Sequence, residues 1–132
     1  MTELTITRTL AAPPERVWRA WTTPEEYAAW IWPETWGTTC EIDLRIGGRF
    51  RFASTVRELA VSGEYVAVEA PHRLVQTWKW DGDDEETLVT VTFAPLPEGG
   101  TELTVLHERF ATQEECDQHL QGWNDCLDRL PG

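Results

Sequence analysis

Basic residues are scarce in this chain. Lys and Arg together number 11 against 23 Asp and Glu, which leaves a formal net charge of −12. Binding to nucleic acid or to an anionic membrane surface relies on cations that displace counterions, so this balance excludes both as partners. It fits solubility, and it leaves room for a cationic ligand or partner. Cysteine is also rare, and the count of three is odd: Cys40, Cys116 and Cys126. That number and spacing exclude a disulfide framework and point to reduced thiols. Cys116 and Cys126 fall on one predicted helix, about 15 Å apart along its axis, too far to bridge. No apolar run approaches the ~18 residues of a membrane span. No basic stretch followed by an apolar one opens the sequence, so no export signal is visible and cytoplasmic residence is expected.

Several catalytic signatures are missing too. Gly47–Gly48 is followed by no Lys-Ser or Lys-Thr, so it is a turn and not a phosphate loop. No G-x-S-x-G is present; Ser54 and Ser62 lie in or beside strands. Cys116 and His119 stand three apart on a helix without a third or fourth ligand in register, so no metal is expected. The acidic run DGDDEE at 81–86 lacks the alternating ligand spacing of a calcium loop and reads as a solvated hairpin tip. No cofactor is implied.

What the sequence does have is tryptophan, eight in 132 residues. Residues 27–36, YAAWIWPETW, hold three of them with a tyrosine and a proline. The length fits one domain spanning 1–132, large enough to bury a core without staples. With 41% hydrophobic and 26% charged residues, the composition is that of a soluble globular protein.

The periodicity places these features. Residues 3–10 alternate and predict a strand. Pro14 suits a first helical position, and Val17, Trp18 and Trp21 recur at helical spacing. Thr22–Thr23–Pro24 interrupts, and Glu25 and Glu26 open a second short helix at its positive end. Strands are predicted at 39–46, 49–54, 61–69, 73–80, 87–94 and 101–110, with turns at Gly47–Gly48 and Ala70–Pro71–His72. Thr112 and Glu115 have the form of a capping box. Cys116, Leu120, Trp123, Leu127 and Leu130 then make one apolar stripe on a last helix that Pro131 and Gly132 stop, while Asp117, Gln121, Asn124 and Asp128 take the other side. The class is α+β: one strand, two short helices, an antiparallel meander, and a long helix whose stripe can be buried only against the sheet.

In this order of elements the chain resembles the helix-grip, START-like (SRPBCC) superfamily. Within it, the chain is similar to single-domain proteins related to the C-terminal domain of the activator of the ninety-kilodalton heat-shock chaperone's ATPase. The segments that carry the resemblance are PPERVWRAWTTPEEYAAW at 13–30, DLRIGGRFRF at 43–52, GEYVAVEAPHRLVQTWKW at 63–80, GTELTVLHERF at 100–110 and GW at 122–123. One departure is the short connection STVRELAVSG after RFRF, where relatives would carry a longer hairpin. The resemblance implies a curved antiparallel sheet wrapped around the terminal helix. It does not fix activity, because this fold hosts ligand carriers, receptors, cyclases, resistance proteins and chaperone activators.

Strand parity defines an expected inner face. Leu74, Gln76, Trp78 and Trp80 share one side of 73–80; Leu103, Val105 and His107 share one side of 101–110; Val89, Val91 and Phe93 point inward on 87–94, and Phe50 and Phe52 on 49–54. For 61–69 parity is ambiguous, and Val66 and Val68 are placed inward together with Glu64. Trp30, Trp32 and Trp36 are expected at the rim of the space between sheet and helix, with Trp78, Trp80 and Trp123 deeper. Two readings of this aromatic set stand. It lines a pocket for a small hydrophobic or aromatic molecule, with Phe52, Gln76 and His107 in its wall, or it plugs the interior. His107 is either a pocket group or a core imidazole satisfied by a neighbour. His119 could reach a cavity mouth but is expected exposed, as is His72.

Three functions follow. The first is binding of a small hydrophobic or aromatic ligand by a monomer or homodimer. The second is a cyclase or hydro-lyase in which His107, with Gln76 or Glu64, polarises a carbonyl or moves a proton. The third, implied only by the resemblance, is interaction with a chaperone.

Overall fold

The alternating segments become seven strands of one antiparallel sheet. The computed structural model describes residues 2–130. The strands are β1 Thr2–Leu10, β2 Thr38–Ile42, β3 Arg49–Ser54, β4 Leu59–Glu69, β5 Arg73–Trp80, β6 Thr87–Pro95 and β7 Thr101–Phe110. Their order across the sheet is β1-β7-β6-β5-β4-β3-β2. The helices are α1 Pro14–Thr22, α2 Pro24–Ile31 and α3 Gln113–Arg129, with a 3-10 turn at Glu34–Trp36. This is the helix-grip α+β architecture.

The two short helices are separated for a local reason. Thr23 closes α1, donating its N–H to the Arg19 carbonyl, and its own carbonyl accepts from Tyr27 in α2. Pro24 has no N–H to extend the first ladder, and its fixed φ starts the second. α1 buries Val17, Trp18 and Trp21 over β6, where Trp18 meets Phe93 edge-on at 5.3 Å. α2 buries Tyr27, Trp30 and Ile31 beside β2.

α3 begins where the sequence places it: the Thr112 hydroxyl accepts from the Glu115 N–H at 3.1 Å. Thr112→Ala is expected to lower stability by about 1 kcal/mol, measured by urea unfolding. The outer face of α3 is fastened to β1 by Arg8, which reaches Asp128 at 2.8 Å and the Asn124 side chain at 2.9 Å. The expected stop at Pro131 and Gly132 lies outside the described residues.

Three expectations are corrected by the backbone. The alternation at 39–46 does not continue as a strand: β2 ends at Ile42, and Leu44 and Ile46 are exposed. Residues 43–48 form a turn instead, in which Gly48 donates to the Arg45 carbonyl and Gly47 to the Tyr65 carbonyl. The turn needs its glycines, since Gly47 has φ +83° and a Cβ on Gly48 would lie 2.1 Å from the Asp43 oxygen. On β4, Tyr65 faces inward, while Glu64 and Val66 face solvent. A register shift between Tyr65 and Ala67 makes Val66 the bulged residue and returns Val68 to the inner side, opposite Leu74. Glu64 is therefore removed from the inner face. On α3, Cys116, Trp123, Leu127 and Leu130 are buried, but Leu120 is exposed and His119 takes the inward place.

Candidate ligand cleft

The tryptophans divide into two groups, with Trp18 in the buried one beside Phe93. Trp21 and Trp30 are both 1% exposed and fill the interior with Tyr27 and Phe93. The Trp30 indole donates to the Ala20 carbonyl at 2.8 Å, which locks it under α1. It is not at the rim, because α2 runs on to Ile31 and keeps position 30 on its buried face. The chain leaves the helix only at Trp32, which is extended. Pro33, the 3-10 turn and a left-handed Gly37 at φ +59° then carry Trp36 across to the β3–β4 hairpin. There the Ser54 hydroxyl donates to the Trp36 carbonyl at 2.6 Å, and the Arg57 guanidinium sits 4.9 Å from the centre of the Trp36 ring.

A half-open cleft of about 570 Å³ lies between this segment, the end of β5 and α3. Trp32, Trp36, Trp78, Trp80 and Trp123 line it, with Ile31 and Leu59. Trp32 stacks toward Trp80 at 6.2 Å and meets Trp36 at 5.4 Å. The other site residues anticipated from the sequence lie elsewhere. Trp30, Phe52, Gln76 and His107 are in the core behind the wall, none more than 2% exposed.

His107 belongs to a closed chain of hydrogen bonds. The Trp123 indole donates to its Nδ1 at 3.0 Å. An accepting Nδ1 leaves the proton on Nε2, which lies 2.6 Å from the Thr87 hydroxyl. Thr87 passes its own proton to the Trp78 carbonyl at 3.1 Å. Burial, and then the neighbouring His119, pull the imidazole down to about 2, so it is neutral throughout the physiological range. It holds the Trp123 indole and, through Thr87, the Trp78 backbone, and is no proton shuttle at neutral pH.

His119 is the residue that the sequence reading placed outside and the structure brings in. Its Nδ1 donates to the Glu115 carbonyl at 2.8 Å, and its Nε2 accepts from the Trp80 indole at 2.9 Å. Positions 119 and 120 both flank the stripe from Cys116 to Trp123, so helical period alone cannot choose between them. The imidazole wins because it finds a partner for each nitrogen.

The α3 wall is anchored to the end of α2. Arg129 donates to the Trp30 and Ile31 carbonyls, both at 3.0 Å, and the Cys126 thiol reaches the Ile31 carbonyl at 2.8 Å. Burial pushes the Cys126 thiol up to about 11, against the pull of Arg129, and the Cys40 thiol up to about 12. The mouth is acidic. Asp83, Glu85, Glu115 and Asp125 border it. The 81–86 loop is thus no free tip: Glu85 accepts the Ala111 N–H at 3.1 Å, which draws the loop over the start of α3. Sequence reasoning missed these acids because that contact joins segments 26 residues apart. Among the described residues, no three His, Cys, Asp or Glu side chains gather to hold a metal ion.

A curved antiparallel sheet closed over a long C-terminal helix, with two short helices after the first strand, defines a START-like protein. The chain belongs to the family described as activator of Hsp90 ATPase homolog 1-like protein, which matches residues 11–132. Among solved structures it is similar to a protein from Rhodobacter sphaeroides, with 32% identity, a TM-score of 0.81, and coverage of 98% of this chain and 89% of the other. It is also similar to the protein CV1439 from Chromobacterium violaceum, with 29% identity, a TM-score of 0.81, and coverage of 98% and 95%. An Hsp90 activator from Plasmodium falciparum shares the fold at 24% identity, with a TM-score of 0.77 and coverage of 97% and 92%. A search of curated proteins returned no match. No helix among the described residues is long and apolar enough to cross a membrane.

Proposed function

We propose that this chain binds a small hydrophobic or aromatic molecule in the cleft between the sheet and α3. The observation that carries this reading is the division of labour among the indoles. Trp18, Trp21 and Trp30 pack the interior, while the other five border about 570 Å³ of open volume. That volume is in the range of small-molecule sites, and it is walled by rings that offer large apolar area with a polar edge.

Binding without catalysis is favoured over a cyclase or hydro-lyase. His107 is the group such an enzyme would use, and it is neutral, spoken for at both nitrogens and absent from the cleft wall. The reduced state of the three thiols and the acidic composition suit the cytoplasm.

The test uses the tryptophans as reporters. The protein is titrated with flat aromatics, fatty acids and amphiphiles, and indole fluorescence is followed together with the melting temperature. A binder present at 100 times its Kd is expected to add about 2.7 kcal/mol of stability. Trp32→Ala, which opens the wall, is expected to weaken that binder roughly tenfold or more, by analogy with buried aromatic anchors. Silence from both signals across the whole panel would count against a ligand site.

A further inference from the structure

We propose that the cleft selects cations: its ligand is a flat aromatic molecule carrying a protonated amine or quaternary ammonium, with the ring among the indoles and the charge at the mouth. This rests on the ligand-binding reading above and adds the sign of the ligand's charge to it.

The first argument is the charge that surrounds the opening. Asp83, Glu85, Glu115 and Asp125 border it, and none of the four is in a salt bridge among the described residues. Among the described residues the seven ion pairs engage other carboxylates, so none of these four acids is neutralised by a Lys or Arg partner. The Glu115 carboxyl neighbours that of Glu85. That contact first, then burial and the charges of Glu85, Asp83 and Glu114, hold the Glu115 carboxyl above its usual range. A cation arriving here would relieve like-charge repulsion that the protein itself leaves in place.

The second argument is that the cation of the wall is already engaged. Arg129 is the one Lys or Arg among the lining residues. Its Nε and Nη2 are directed to the Trp30 and Ile31 carbonyls. His119 donates to the Glu115 carbonyl and turns only an occupied lone pair toward Trp80.

The third argument is aromatic. Ring faces attract cations, most strongly those of tryptophan. The chain shows this at the edge of the cleft, where Arg57 lies over Trp36 at 4.9 Å. Trp32 and Trp80 present further indoles on the same wall.

The experiment compares three probes with one ring: 2-naphthylmethylammonium, 2-naphthylmethanol and 2-naphthoate, titrated by calorimetry and indole fluorescence at neutral pH. The ammonium is expected to bind roughly tenfold or more tightly than the alcohol, with the carboxylate weakest. Raising the salt concentration is expected to shrink that advantage. The double variant Glu85→Gln with Glu115→Gln is expected to abolish most of it, so that the ratio of ammonium to alcohol affinity falls toward one. Equal binding of ammonium and alcohol, or a preference for the carboxylate, would overturn the charge selectivity while leaving a ligand site in place. Binding of none of the three would remove the ligand reading and this proposal together.

Discussion

Replacing His107 with alanine is expected to lower the unfolding free energy by roughly 3–5 kcal/mol. Two effects add. The Trp123 indole N–H loses its acceptor and the Thr87 hydroxyl loses a partner, each inside a fully buried site; buried polar groups left alone cost about 1–3 kcal/mol apiece. The missing ring also leaves a cavity between Trp78, Phe110 and Trp123, whose ring centres lie 5.6, 4.4 and 6.2 Å away. Denaturant unfolding measures the loss, and a change under about 1 kcal/mol would show that the chain through Thr87 is not formed.

A pH series sharpens the same prediction. The folded imidazole holds no extra proton until about pH 2, while the unfolded chain takes one up near 6.5. Between those values the unfolded state binds more protons, so stability falls as acid is added. His107 makes its full contribution above pH 6.5 and loses it progressively below, with a limiting slope of about 1.4 kcal/mol per pH unit. His107→Gln has no such titration. Its stability is expected to depend less on pH between about 4.5 and 6.5 than that of the parent, and parallel curves would contradict a buried neutral imidazole.

Gly63→Ala is the second large effect, at about 3 kcal/mol or more. Gly63 lies in the middle of β4, paired with Phe50 on β3. An added Cβ would stand 2.0 Å from the Thr77 carbonyl oxygen and 2.7 Å from the Phe50 ring. The nearer obstacle is backbone of β5, so no rotamer change relieves it. The strands must separate, and the Glu64 N–H contact to the Thr77 hydroxyl at 2.8 Å is lost with them. Overpacking on this scale reaches or exceeds the usual 1–3 kcal/mol. A fall in the melting temperature of less than about 4 °C would mean that the strands accommodate the methyl group.

Much of the fold was legible because its signals are local. Strict alternation placed the edges of β3, β5 and β7, a proline with no N–H separated α1 from α2, and Thr112 marked the start of α3. The misreadings share one cause, which is contact across the sheet. Alternation at 39–46 continues through Leu44 and Ile46, but the Gly47–Gly48 turn bonds to Tyr65 and ends β2 early. The bulge at Val66 reverses parity halfway along β4, so a single assignment of its two faces had to fail on one half. The candidate site divides in the same way. An aromatic cluster between the second helix and the strands was visible in YAAWIWPETW. Which indoles face open space was not, because that depends on α2 ending at Ile31 and on the 81–86 loop folding over α3. Parity put His107 on the inner face. Only the partners on its two nitrogens distinguish a locked core imidazole from a reactive one.

The Cys126 thiol has a consequence for what the cleft can hold. It is the sulfur on the wall, and it keeps its proton, directed at the Ile31 carbonyl, far above neutral pH. Thiolates are the nucleophiles that electrophiles meet first, and here there is essentially none. The accepting nitrogen of His119 is likewise covered by the Trp80 N–H. If the cleft holds a ligand as proposed, an alkylating or Michael-acceptor molecule there would meet a protonated thiol and an imidazole nitrogen already bonded to Trp80.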